Sequence, residues 1–98
     1  MTWPLEYHPA VRPEVEAVEL WHEIQRQGLG EEFSEDLRAA VTRIEEHPEH
    51  FAIVRRDVRQ AMLKKFSYVV RFRWLKDRDR IVAVRHTSQA SGGWQSRR

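Results

Sequence analysis

The alternation of residues 66–75 constrains this chain more than any other feature. Phe66, Tyr68, Val70, Phe72 and Trp74 share one parity, while Ser67, Val69, Arg71, Arg73 and Leu75 share the other. Side chains two positions apart on a strand point to the same side. The segment therefore predicts a strand with an aromatic wall on one face and two arginines on the other. It lies inside a longer stretch, 59–86, in which aromatic and β-branched residues recur and Asp77-Arg78-Asp79 punctuates a hairpin. This reads as two or three adjacent strands of an antiparallel meander. A sheet with one apolar face must bury that face, so the rest of the chain has to cover it.

The upstream half has the pattern for this task. Trp3-Pro4-Leu5-Glu6-Tyr7 alternates around a proline, as an edge strand does, and His8-Pro9 ends it. From about Pro13 to Gln27 the period is helical. Val11, Val15 and Val18 form one line, and Ala17, Trp21 and Ile24 continue the stripe. Gly28-Leu29-Gly30 is a tight link, after which Phe33, Leu37, Ala40, Val41 and Ile44 fall on one helical face until His47-Pro48 stops it. Glu31, Glu32, Glu35 and Asp36 load the first turns of this second helix, where the helix dipole favours negative charge. A link this short predicts an antiparallel helical hairpin with a single apolar face, laid on the sheet.

Phe51 to Val54 is a short apolar run, Val58 to Leu63 is extended, and Lys64-Lys65 turns into the aromatic strand. The last hairpin decides which residues share a face. An odd loop joins Val82, Val84 and His86 to the aromatic wall and sets Ala83 and Arg85 beside Arg71 and Arg73. An even loop reverses this, because a one-residue slip flips every side chain. The odd loop keeps valines with aromatics and arginines together, and is the register expected here.

Ninety-eight residues suffice for one modest core. The expected class is α+β, in the order β-α-α-β-β-β, with an antiparallel sheet covered on one face by the helical hairpin. Residues 1–90 form the domain, and 91–98 read as a flexible tail in which Trp94 is the one anchor expected to dock. With no cysteine there is neither a disulfide nor a thiolate metal site, and a reducing cytoplasm is the expected setting. No apolar run approaches membrane-span length, and the opening lacks a signal-peptide pattern.

The net charge of +2 conceals an asymmetry. Residues 1–50 carry 4 basic and 12 acidic side chains, whereas 51–98 carry 13 basic and 3 acidic ones. Acidic helices on the aromatic wall would lie across the sheet from Arg71 and Arg73. Much of the positive charge is thus expected to remain unneutralised, as a basic face for nucleic acid or an acidic partner.

Several spaced residues together resemble the RelE/ParE family of bacterial toxin–antitoxin proteins, the ParE-like branch more than the RelE-like one. They are Tyr7-His8-Pro9-Ala10, Gly28-Leu29-Gly30 with Phe33, Ile44 with Pro48, Arg59, Leu63, Phe66-Ser67-Tyr68, Val84-Arg85-His86 and Trp94. The resemblance implies a RelE/ParE-like domain acting as the toxin of a toxin–antitoxin (plasmid stabilisation) module. It would be neutralised by a cognate antitoxin with an acidic segment, and would most naturally inhibit DNA gyrase. The alternatives are a RelE-like endoribonuclease acting on ribosome-bound mRNA, and a non-toxic orphan interaction domain. The sequence departs from the family pattern at Ser67, where proline is usual, and after His86, where arginine and proline are usual. No tyrosine follows Tyr68.

The chain thus reads as a binding protein before an enzyme. If it cleaves RNA, His86 would act as base or acid, its ordinary pKa of ~6.5 suiting that role. Arg59 and Arg85 would hold phosphate beside it. Arg71, Arg73, Lys64 and Lys65 are the candidate nucleic-acid or partner contacts. No cofactor is expected, and no metal, because His8, His22, His47 and His50 show no ligand spacing with carboxylates. No membrane contact is expected, and a homodimer is left open.

Overall fold

The computed structural model describes residues 5–89 and Arg97; the expected docking of Trp94, like most of the 91–98 tail, falls outside them. The elements are β1 (Leu5–Tyr7), α1 (Val11–Gln25), α2 (Leu29–Glu46), a 3-10 turn (Pro48–His50), β2 (Ile53–Arg55), β3 (Val58–Met62), β4 (Tyr68–Trp74), β5 (Asp79–His86) and a second 3-10 turn (Thr87–Gln89). The chain is α+β and close to the expected order, with one added edge strand. Its five strands lie in the order β1-β5-β4-β3-β2. Consecutive strands from β2 to β5 pair antiparallel, but β1 pairs parallel with β5, so the sheet is mixed. The two helices lie between β1 and the meander in sequence, and that long crossover permits parallel pairing.

The core forms where the alternation placed it. Val70 and Phe72 of β4 are fully buried with Phe33, Ile44, Val11 and Ile81, and Phe66 and Tyr68 pack against the same cluster. Trp74 is the exception. It stands at the sheet's end, 41% exposed, with the Arg59 guanidinium 5.2 Å from its ring centroid.

The register of the last hairpin combines both alternatives. Trp74 pairs with Asp79, leaving four loop residues, and Phe72 pairs with Ile81. The loop is therefore even, and Ile81 rather than Val82 joins the core. A β-bulge then intervenes: Arg71 pairs with Ala83, so Val82 is an extra residue. The bulge restores the expected parity beyond it. Val84 and His86 lie opposite Val70 and Tyr68, while Ala83 and Arg85 lie opposite Arg71 and Val69. Val82 instead joins Val58 and Ala83 in a small apolar cluster on the other face.

Helix α1 departs from expectation in which line faces the core. At 3.6 residues per turn, a step of three falls 60° short of a full turn. A line running Val15, Val18, Trp21, Ile24 thus rotates off the core face. The structure buries Val11 and His22 and half-buries Val15 and Val18, and leaves Trp21 57% and Ile24 73% exposed beside Leu20. The helix has two apolar faces, one of them outward.

Three residues shape the hairpin of helices and fasten it to the sheet. Gly28 takes φ +89°, in the left-handed region that glycine enters freely. Gly30 lets α2 approach α1 so closely that a Cβ there would lie 2.8 Å from the Glu19 carbonyl oxygen. Asp36, buried on the inner side of α2, accepts backbone N–H bonds from Lys64 (3.3 Å), Lys65 (2.8 Å) and Phe66 (3.0 Å). It thereby ties the β3–β4 turn to the helix.

Replacing Phe72 by Ala removes the centre of this core and should cost ~3–5 kcal/mol in urea denaturation, whereas Trp74→Ala should cost less than about half as much. Equal losses would contradict the burial difference. Asp36→Ala removes the acceptor of three part-buried N–H groups and should cost roughly 2–4 kcal/mol, since an unsatisfied buried group costs about 1–3 kcal/mol and partial access to water lowers the sum.

Candidate functional site

The end of the sheet away from the β4–β5 loop opens into a cleft of about 590 Å³ between α1 and the ends of β4 and β5. Trp21 and His22 come from α1, Lys65, Phe66, Ser67 and Tyr68 from the turn and start of β4, and His86 and Ser88 from the end of β5. The ring of Tyr68 lies 5.1 Å from that of His86 and 5.8 Å from that of His22. His22 is stacked on Phe33 at 5.4 Å and meets Phe66 edge-on at 5.1 Å. Burial raises the Tyr68 hydroxyl above its ordinary pKa, so it enters the cleft as a neutral donor.

The two histidines are held in different ways. His22 Nδ1 lies 2.8 Å from the Val18 carbonyl oxygen, which only accepts, so Nδ1 carries the proton. His86 Nδ1 accepts the Ser88 N–H at 3.1 Å, which leaves the proton of the neutral ring on Nε2. The Ser88 hydroxyl lies 2.8 Å from the same nitrogen. Sequence reasoning missed His22. It stands four residues after Val18, on the buried line of α1, and a polar residue there was the available signal.

The other candidates do not gather around His86. Arg59 is opposite Phe72 on β3, whereas His86 is opposite Tyr68 on β5. At ~3.3 Å per residue they are about 13 Å apart along the strand direction, and on opposite sides of β4. Arg59 donates to the Phe51 carbonyl at 2.7 Å and covers Trp74. Arg85 faces the other side of the sheet and pairs with Glu14 at 3.0 Å. Arg97 reaches the same Glu14 at 2.6 Å and donates to the Val82 carbonyl at 3.1 Å.

Arg71, Arg73 and Arg85 do share one face, as the parity required, but they do not leave a free basic surface. Arg73 donates from Nε and Nη2 to one oxygen of Asp57, Oδ2, at 3.1 and 2.8 Å, and these bonds hold the Asp57 carboxyl below its ordinary pKa. Arg71 is buried, and desolvation pushes its guanidinium below its ordinary value. At the β1 end, Glu6 takes Arg80 and Arg78. Among the described residues, the exposed cations without an ion pair are Arg55, Arg56, Lys64, Lys65 and Lys76, all in turns or at the outer edge. The expectation of a largely unneutralised arginine face is thereby corrected. The acidic residues that quench it come from Glu14 at the start of α1, from Glu6 on β1 and from Asp57 in the β2–β3 turn. They reach round the sheet's edges rather than through it.

One further group converges. His47, Glu49 and His50, around the 3-10 turn, bring ligand atoms within 4.8 Å of one another. No helix among the described residues is long and apolar enough to cross a membrane.

The family model described as the ParE toxin of type II toxin-antitoxin system, parDE, matches residues 5–91. This chain belongs to the ParE toxin family. The match spans all nine elements, from β1 to the second 3-10 turn. No curated protein matches the sequence. As a ParE-family toxin, the chain is one half of a toxin–antitoxin pair, and its surfaces are to be read with a protein partner in view.

Asp79 supplies a prediction at the β1 end of this ParE-family domain. It is fully buried, and neither carboxylate oxygen has a hydrogen-bond partner. Burial first, then Glu45 and Glu49, push its carboxyl up to about 6. The unfolded value is ~3.9. A raised acid contributes stability that is present below the unfolded pKa and lost as pH rises through the folded one. Asp79→Asn should therefore gain stability relative to the parent between pH 4 and 7, by about 1–3 kcal/mol in parallel urea melts. A pH-independent difference would remove Asp79 as the titrating group.

Proposed function

We propose that this ParE-family toxin acts by binding a protein target, DNA gyrase, and is held inactive in the cytoplasm by an acidic antitoxin segment. The observation that carries the reading is the separation of the phosphodiester-cleaving candidates. Ribonucleolysis needs an acid, a base and cations on one phosphate. Here Arg59 and Arg85 are each committed elsewhere, and Arg85 points away from His86. The family match supports a toxin, and the placement of Arg59 and Arg85 away from His86 favours a binding mechanism.

The antitoxin reading draws on the edge of the sheet. Strand β2 pairs only with β3, and all three of its residues are exposed. Ile53 and Val54 offer apolar contact there, and Arg55 and Arg56 are unpaired cations. An extended acidic, amphipathic segment can add its main chain to such an edge while its carboxylates meet the arginines. Lys65 lines the cleft and Lys64 precedes it in the same turn, both exposed for a second contact.

The alternative reading, a ribosome-dependent ribonuclease, is favoured by the cleft itself, where His86, Tyr68, His22 and Lys65 meet. Purified protein should inhibit gyrase supercoiling of plasmid DNA and leave translated mRNA uncut. The reverse result would select the ribonuclease. For the antitoxin, Arg55→Glu/Arg56→Glu should slow association at low salt roughly tenfold while changing dissociation less, since charge mainly steers encounter. An unchanged association rate would move the antitoxin off this edge.

A further inference from the structure

We propose that His47, Glu49 and His50 form a binding site for a divalent transition-metal cation of the zinc class. The three ligands come from one compact segment. His47 ends α2, Pro48 opens the 3-10 turn, and the turn is closed by His50 N–H to the His47 carbonyl at 3.1 Å and Phe51 N–H to the Pro48 carbonyl at 3.4 Å. His47 Nδ1 lies 3.6 Å and His50 Nε2 3.9 Å from the same Glu49 oxygen. A tetrahedral cation with bonds of ~2.0–2.2 Å separates its ligand atoms by roughly 3.3–3.5 Å. Small side-chain rotations therefore bring all three within bonding distance, and they leave a fourth position open to water.

The remaining histidines differ in a telling way. His8, His22 and His86 each commit Nδ1 to a partner within four residues: the Ala10 N–H, the Val18 carbonyl and the Ser88 N–H. Among the described residues His47 and His50 have no such anchor; their side chains meet Glu49 and each other, their rings stacked at 4.5 Å. Neutral imidazole beside carboxylate is a common donor set for zinc.

The carboxylates around the site are left without a lysine or arginine pair among the described residues. Glu45, Glu49 and Asp79 have no lysine or arginine partner among the described residues, in a chain with 17 such side chains. Asp79 is fully buried with both oxygens unsatisfied, and it feels both glutamates. A bound cation at Glu49 would oppose that negative potential, so the site gains from long-range attraction as well as from its ligands.

The test uses the full chain without an affinity tag. Titrating ZnCl2 in a calorimeter should give one site per chain, and the same zinc should raise the melting temperature. His50→Ala and Glu49→Gln should each weaken zinc binding at least tenfold, and His50→Ala should leave the metal-free melting temperature unchanged, because its side chain is exposed. MgCl2 should give no binding heat. Absence of zinc binding would overturn the proposal, and so would stoichiometric binding that survives His47→Ala/His50→Ala, which would assign the metal to other histidines.

Discussion

The bulge at Val82 sets the facing of nearly everything in this molecule. The β4–β5 loop is even, which places Asp79 and Ile81 on the helix-covered side. Without an extra residue the same parity would continue to the end of β5. Ala83 and Arg85 would then enter the core opposite the aromatic wall, and Val84 and His86 would leave it. A guanidinium cannot be buried there without a partner, so an unbulged strand is incompatible with this sequence. The bulge moves Val84 against Val70 and brings His86 beside Tyr68. The cleft exists because one strand carries one residue more than its neighbour.

The same constraint explains how the charge is arranged. Once Arg71, Arg73 and Arg85 share a face, their mutual repulsion has to be relieved from the margins of the sheet. Asp57 answers Arg73 from the adjacent turn, and Glu14 answers Arg85 from the first turn of α1. The basic half of the chain is thus stitched to the acidic half along the sheet's margins. Among the described residues, the exposed cations without an ion pair lie at turns and at the β2 edge, where they face solvent. By contrast, the Glu45, Glu49 and Asp79 group receives no lysine or arginine among the described residues. Charge balance in this domain is local, and the net value of +2 says little about any one surface.

Much of this was legible in the sequence, and the parts that were not share a physical reason. Period-two alternation identified the Phe66 to Phe72 wall, because nothing but a one-faced sheet produces it. The glycine pair and His47-Pro48 located both ends of the helical hairpin. The bulge was invisible, since inserting one residue leaves composition and alternation almost unchanged on either side of it. The outward face of α1 was misread because steps of three and four mimic a single stripe until their angular drift is summed. Asp36 was read as a helix-dipole charge, yet it sits with Phe33, Leu37 and Ala40 on the inner face of α2. An acid in an apolar stripe should announce a buried acceptor with several donors. For the site, His86 was found, but its neighbour His22 required knowing how α1 is rotated.

That rotation also bears on why a small domain would keep so much apolar surface outside. Leu20, Trp21 and Ile24 on α1, with Ile53 and Val54 on β2, are all substantially exposed. Burying a side chain of this kind is worth about 1.5–3 kcal/mol, and a domain of this size has little stability to forgo. Turning Trp21 inward would need only a rotation of α1 by about one residue's arc. The chain forgoes that gain because His22 and Val18 already fill the available core beneath the helix, and Phe33 stacks on His22 rather than on Trp21. An unsatisfied apolar face next to a histidine-lined cleft is costly in isolation and useful in a complex. The outward face of α1 is thus fixed by what lies beneath the helix, where His22, Val18 and Phe33 leave no room for Trp21.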